Sequence, residues 1–156
     1  MHSFILLLWL VLCAVQDARQ RRIANLLTLG AAALALVYLL VTGNTWLGAE
    51  AGQGGWAVLI ALALTLPGFF MGRMGAGDVK LMTALGLATD GLFILEVFIG
   101  AGIVSVIWLL LAPRLWLHMS QRVRDRLENL RPDASKKLPF APFVLVAAIP
   151  MLYWIH

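Results

Sequence analysis

Asp17 and Asp78 are the residues of this chain whose type and placement best suit chemistry. Of the eight acidic residues in 156, few lie near the long apolar runs. Asp17 closes the first of these runs and Asp78 opens the fourth. An acid beside lipid is costly to keep, so it marks a candidate functional site. Two carboxylates brought together do not both ionise easily; one keeps its proton while the other stays charged. Such a pair suits peptide hydrolysis: the charged member draws a proton from water and the protonated member donates to the carbonyl oxygen. Each acid also has a structural alternative. Asp17 can pair with Arg21, four residues on, if the first helix continues. Asp78 can cap the N-terminus of the helix it opens. Lys80, two residues further, points to another helix face than Asp78 and is placed to reach a lipid phosphate.

The elements that must position these residues are membrane helices. The composition is 62% hydrophobic and 13% charged, whereas soluble domains are about half apolar and about a quarter charged. Lipid must therefore be part of the solvent. Inside lipid the backbone satisfies its own polar groups, so long apolar runs read as spanning helices. The sequence predicts six, over residues 2–16, 23–41, 56–71, 78–88, 92–112 and 140–155. Residues 43–55 form a polar, glycine-containing loop, Pro67-Gly68 a kink and Thr89-Asp90-Gly91 a turn. The fourth run is short: about eleven residues at about 1.5 Å each give about 16 Å, half of an apolar core of about 30 Å. Either its start is sunk into the membrane or its end stops short of the far surface. Residues 4–15 follow no Lys or Arg and precede no small-x-small cleavage site, so they read as a retained helix rather than a signal peptide.

Charge orients the bundle. All twelve basic residues fall on alternate connections: Arg19, Arg21 and Arg22; Arg73 and Lys80; and Arg114, Arg122, Arg124, Arg126, Arg131, Lys136 and Lys137. The other connections carry Glu50 and Asp90, with Glu96 just inside the fifth run. The positive-inside rule makes the basic side cytoplasmic and turns both termini outward. The net charge of +4 is then a lipid signal and not a nucleic-acid one. Trp116, Met119, Val123, Leu127 and Leu130 recur at three- and four-residue steps with arginines between them. They predict a basic amphipathic helix at the headgroups or a solvated extension of the fifth helix. The fold class is thus all-α: one polytopic membrane domain over residues 1–156, with about six transmembrane helices and one basic amphipathic cytoplasmic segment.

The remaining residue types exclude several chemistries. Cys13 is the one cysteine, which rules out an intramolecular disulfide and a cysteine-based zinc cage. It reads as a small apolar residue of the first helix. His2, His118 and His156 are too scattered for a ligand pattern. No metal and no cofactor is expected. Gly86, Gly100 and Gly102 read as helix-packing positions, and the six tryptophans as interface anchors.

The string around Asp78 is Met74-Gly75-Ala76-Gly77-Asp78-Val79-Lys80-Leu81-Met82. Glycines on either side of Ala76 allow a tight turn and the close approach of another chain. This string, opening a membrane helix, resembles the Gly-x-Gly-Asp-x-Lys-Leu motif of the type IV prepilin peptidases, which are membrane aspartic proteases. Asp17-Ala18-Arg19-Gln20-Arg21-Arg22-Ile23-Ala24-Asn25 is similar to that family's first aspartate and its Arg-x-Ile-Pro-Asn-like string, with Ala24 in the proline's place. Leu138-Pro139-Phe140-Ala141-Pro142-Phe143 is similar to the family's Pro-Phe-Gly-Pro-Phe segment, with Ala141 in the glycine's place. The resemblance covers most of the chain. It implies a catalytic pair Asp17 and Asp78, with Gly75, Gly77, Lys80, Arg22 and Asn25 shaping the site. Arg22 also reads as a topology signal and Asn25 as a helix-start residue.

The resemblance further implies a substrate, a prepilin or pseudopilin with a short basic leader before an apolar helix, cut at the cytoplasmic face of the bacterial inner membrane. Type IV pilus assembly and protein secretion are the settings. This chain has no insert with paired cysteines, so it looks like the short, peptidase-only kind found with tight-adherence pili, without methyl transfer. Membrane lipid is the other expected partner, and nucleic acid is not one. Two readings of other classes stand beside this one. A small transporter would use the aspartates as a polar relay; uptake by reconstituted vesicles would reveal it. A non-enzymatic assembly subunit would tolerate loss of either acid.

Overall fold

The computed structural model describes residues 1–131 and 137–155, the side chains of residues 129 and 155 excepted. Lys136, within the basic segment, and His156 lie outside the described residues. The elements are α1 (His2–Gln20), α2 (Asn25–Thr42), α3 (Ala51–Phe70), α4 (Ala76–Ala88), α5 (Gly91–His118), α6 (Gln121–Arg126), the 3-10 turn η1 (Glu128–Leu130) and α7 (Ala141–Ile155). Helices α1, α2, α3 and α5 are long and apolar enough to cross a membrane, and α4 and α7 are shorter apolar helices. The chain is an all-α polytopic membrane protein, with helices at all six predicted runs.

Helix α4 is the axis of one layer, packed between α2 and α3; α7 is the axis of the other, packed between α1 and α5. Contact of α3 with α5 joins the layers. The buried seam is built from Leu10, Cys13, Leu81, Met82, Leu85, Phe93, Ile94, Val97 and Val144. Small residues set the helix spacing. A Cβ on Gly86 would lie 3.0 Å from the Ala57 backbone of α3, and one on Gly100 would lie 2.9 Å from Ala147 Cβ of α7. Gly102, expected to do the same, meets nothing within 4 Å: it lies on the exposed face of α5 and is not a packing residue. Leu26, Leu34, Leu40, Ile103, Leu110 and Trp154 are exposed around the outside, the face a polytopic protein offers to lipid.

One end of the bundle gathers the N-terminus, the 43–50 connection and the end of α4. His2 Nδ1–H donates to the Trp46 carbonyl at 2.8 Å, and Trp46 Nε1–H returns a bond to the His2 carbonyl at 3.1 Å. Leu47 N–H donates to the Ala88 carbonyl at 3.1 Å. Thirteen residues give α4 about 20 Å against about 30 Å for a full span. Its C-terminus is level with the connection between α2 and α3, and its start lies beside Ile23 and Asn25, at the connection between α1 and α2.

Several boundaries differ from the sequence expectation. Helix α1 runs past Asp17 to Gln20 and ends with Arg21 in the left-handed region (φ 51°), whose N–H caps the Asp17 carbonyl at 2.8 Å. Helix α3 takes in residues 51–55 of the predicted loop, and Pro67 lies in its last turn. Asp90 is not merely a turn residue: its carboxylate accepts the Phe93 N–H at 3.0 Å and caps α5. The predicted amphipathic helix over 114–130 is divided. Its first residues belong to α5, which continues through Pro113 to His118; Met119 and Ser120 are extended, and α6 and η1 follow. Trp108 Nε1–H holds the Leu130 carbonyl at 2.8 Å and draws η1 back against α5. Trp9, likewise, donates to the Leu27 carbonyl at 2.8 Å. Trp9, Trp46 and Trp108 thus tie elements together, where the sequence suggested interface anchors.

Candidate active site

A cavity of about 860 Å³ lies at the start of α4. Three stretches of chain form its wall: residues 16–25 excepting Ala18 and Arg19, residues 75–80 excepting Val79, and residues 137–139. Asp17, Asp78, Gly75, Gly77, Lys80, Arg22 and Asn25 all line it. The seven residues singled out from the sequence are therefore brought together, although they come from two distant parts of the chain.

Asp17 occupies the last turn of α1 and is 4% exposed; Asp78 occupies the first turn of α4 and is 8% exposed. Each carboxylate is held by a backbone amide at a helix start. Ala141 N–H, the first of α7, donates to Asp17 Oδ2 at 3.0 Å. Gly75 N–H donates to Asp78 Oδ2 at 3.0 Å. The first amides of a helix have no partner within it, and both acids satisfy such donors where the partial positive charge of a helix end lies. Asp78 is not the N-cap residue, as the structural alternative supposed. Gly75 is the N-cap, and Asp78 reaches back to it from the third position, as the acid of a capping box does. Buried carboxylates are expensive unless hydrogen-bonded; these two are bonded and still face a cavity.

The glycines act differently from expectation. Neither Gly75 nor Gly77 needs a positive φ; the turn between α3 and α4 is made at Gly72, with φ 71°. A Cβ on Gly75 would stand 3.4 Å from Asp78 Oδ2, an ordinary contact. Gly77 faces Ile23, where a Cβ would meet its backbone nitrogen at 3.8 Å. Lys80 does not reach outward to lipid phosphate in this structure, because its Nζ donates to Asn25 Oδ1 at 2.9 Å. That bond ties the start of α2 to α4 across the cavity. Asn25 is also the first residue of α2, the helix-start position read from the sequence.

Ala24, in the position where the resembled motif has proline, has φ −59° and ψ 138°. That backbone is the one proline imposes, so the turn keeps its shape. The N–H that proline would lack is used: it donates to Gln16 Oε1 at 2.8 Å. Gln16 and Ala141 are site residues that the sequence reading did not single out. Gln16 could have been found as a polar residue closing an apolar run beside Asp17. Ala141 lies in the Pro-Phe segment, yet nothing local pairs it with a residue 124 positions away.

The comparisons agree with this geometry in part of the chain. Neither curated proteins nor solved structures give a match. The sequence model of the type IV leader peptidase family matches residues 4–110. That span holds two of the three stretches of the cavity wall, including both aspartates. It also covers more than half of the 156 residues, and on it the chain belongs to the type IV leader peptidase family and is a peptidase.

Proposed function

We propose that this protein is an aspartic endopeptidase that removes the short basic leader of prepilins or pseudopilins, with Asp17 and Asp78 as its catalytic pair. The observation that carries this reading is the shared cavity. Two buried carboxylates, each held by backbone N–H, face the same space at the basic end of the bundle. In the proposed reaction one aspartate is ionised and the other protonated. Water oxygen bonds to the scissile carbonyl carbon as the ionised carboxylate takes a water proton and the protonated one gives its proton to the carbonyl oxygen. The tetrahedral diol then collapses. The carbon–nitrogen bond breaks, the nitrogen receives the proton held by the first aspartate, and a hydroxyl proton returns to the second. The products are a leader carboxylate and a new amino terminus, and both aspartates regain their starting states.

The basic connections support a bacterial inner-membrane location with the cavity toward the cytoplasm. A substrate helix in the bilayer would then present its leader junction at the cytoplasmic surface, toward the start of α4. Gly75, Gly77, Lys80, Arg22 and Asn25 shape the site in this reading. The relay alternative finds little support: between the cavity and the other end the buried seam is apolar. Its hydroxyls at Thr65 and Thr89 bond to carbonyls of their own helices at 2.7 and 2.8 Å. The test is co-expression with a prepilin, read as a mobility shift and by N-terminal sequencing. Cleavage at the leader junction supports the proposal; an uncut prepilin in membranes that contain the folded protein would refute it.

A further inference from the structure

Asp78 borders two cavities. Besides the one described, a second of about 500 Å³ lies between the turn after α3 and the helix α5. Lys137, Leu138 and Pro139 line both cavities. Those residues and Asp78 are therefore a shared wall, and a peptide bond held at Asp78 has an outlet on either side.

The two outlets differ in chemistry. The first cavity is lined by Gln16, Gln20, Arg21, Arg22, Asn25 and Lys80 beside the aspartates. The second is lined by Met74, Leu109, Phe140 and Phe143, with Arg73, Ser105 and the shared Asp78 and Lys137 as its polar residues. Its α5 wall adjoins Val106 and Leu110, which are exposed on the apolar face of the bundle. The surface beside this cavity is therefore apolar. At about 500 Å³ it falls within the range of about 300–1,000 Å³ usual for ligand pockets. Pro113 adds a further feature. It sits inside α5 and brings no N–H to the carbonyl four residues earlier, which is that of Leu109. A wall residue of this cavity thus lacks its usual helical donor.

We propose that the second cavity is the subsite for the residue just after the scissile bond, the first residue of the apolar half of the substrate, and that Leu109 sets the size it accepts. The assignment rests on the peptidase reading above. An apolar side chain that leaves the aspartates toward the bilayer passes Met74, Leu109 and Phe143, while the polar leader lies on the other side of the shared wall.

The experiment uses the full-length protein co-expressed with a prepilin whose first mature residue is Ala, Leu or Phe, and the readout is the ratio of Phe to Ala cleavage rates. Leu109→Trp fills the cavity and should lower that ratio about tenfold or more, the scale on which apolar pockets discriminate by size. Leu109→Ala enlarges it and should move the ratio the other way. If the wild type cuts these substrates but both variants keep its ratio, or both lower all rates in equal proportion, the subsite is refuted while the peptidase reading stands. Failure of the wild type to cut any of them would remove that reading and the subsite with it.

Discussion

Asp17 and Asp78 each accept a backbone N–H from the start of a helix, at 3.0 Å in both cases. Backbone amides cannot swing away as side chains do, so the carboxylates are oriented by the fold itself. The amide of Ala141 is accordingly a positioning group. Ala141→Pro removes it and takes one of its backbone donors from the buried Asp17 carboxylate, a cost of about 1–3 kcal/mol. It should lower kcat by up to about a hundredfold, because small misplacements of a reacting group are that costly. Ala141→Gly keeps the amide and should retain turnover. Comparison of kcat and KM for the two variants checks this. The same pairing predicts a bell-shaped dependence of activity on pH, whose two limits belong to the pair and not to either residue. Rates measured across pH in wild-type membranes would show it; a single sigmoid would count against a pair that acts as acid and base.

At the scale of elements, α4 is the piece on which the site depends. It is short, held at one end by the Leu47–Ala88 bond and packed closely against α3 at Gly86. Gly86→Val should therefore cost about 1–3 kcal/mol, the usual penalty for overpacking, and lower the thermal midpoint in detergent. Gly102→Ala, on the open face of α5, should not. All six apolar helices were legible in the sequence because lipid demands long apolar runs. Their ends were less so. An apolar run measures the thickness of the membrane, not the length of the helix, so Arg114 ended the predicted fifth span although α5 continues to His118. Glu50 and Gln53 likewise hid the start of α3. Within the site, the strings at residues 17–25 and 74–82 carried the aspartates and five neighbours. The Asp17–Ala141 bond was not legible, because a contact made by a backbone amide leaves no mark on side-chain pattern. Nor was the second cavity, which exists only once the turn after α3 faces α5.

For the whole molecule, the basic residues near the cavity and the acids Glu50 and Asp90 near the opposite end predict one orientation in the membrane. Cys13 is the single cysteine and is buried, which makes labelling practical in a Cys13→Ala background. Glu50→Cys should react with an impermeant thiol reagent in intact cells. Arg126→Cys should react only after the membrane is opened. The reverse pattern would place the cavity on the outer side and away from a cytoplasmic leader.

The claim on which the account turns is that Asp17 and Asp78 together perform the cleavage. The direct measurement is the cleavage rate of a co-expressed prepilin by wild type, Asp17→Asn and Asp78→Asn, with membrane insertion and thermal stability checked for each. Asparagine keeps the shape but neither takes nor gives the proton, so both variants should fall at least about a hundredfold. Folded variants that cut at the wild-type rate would contradict the catalytic pair.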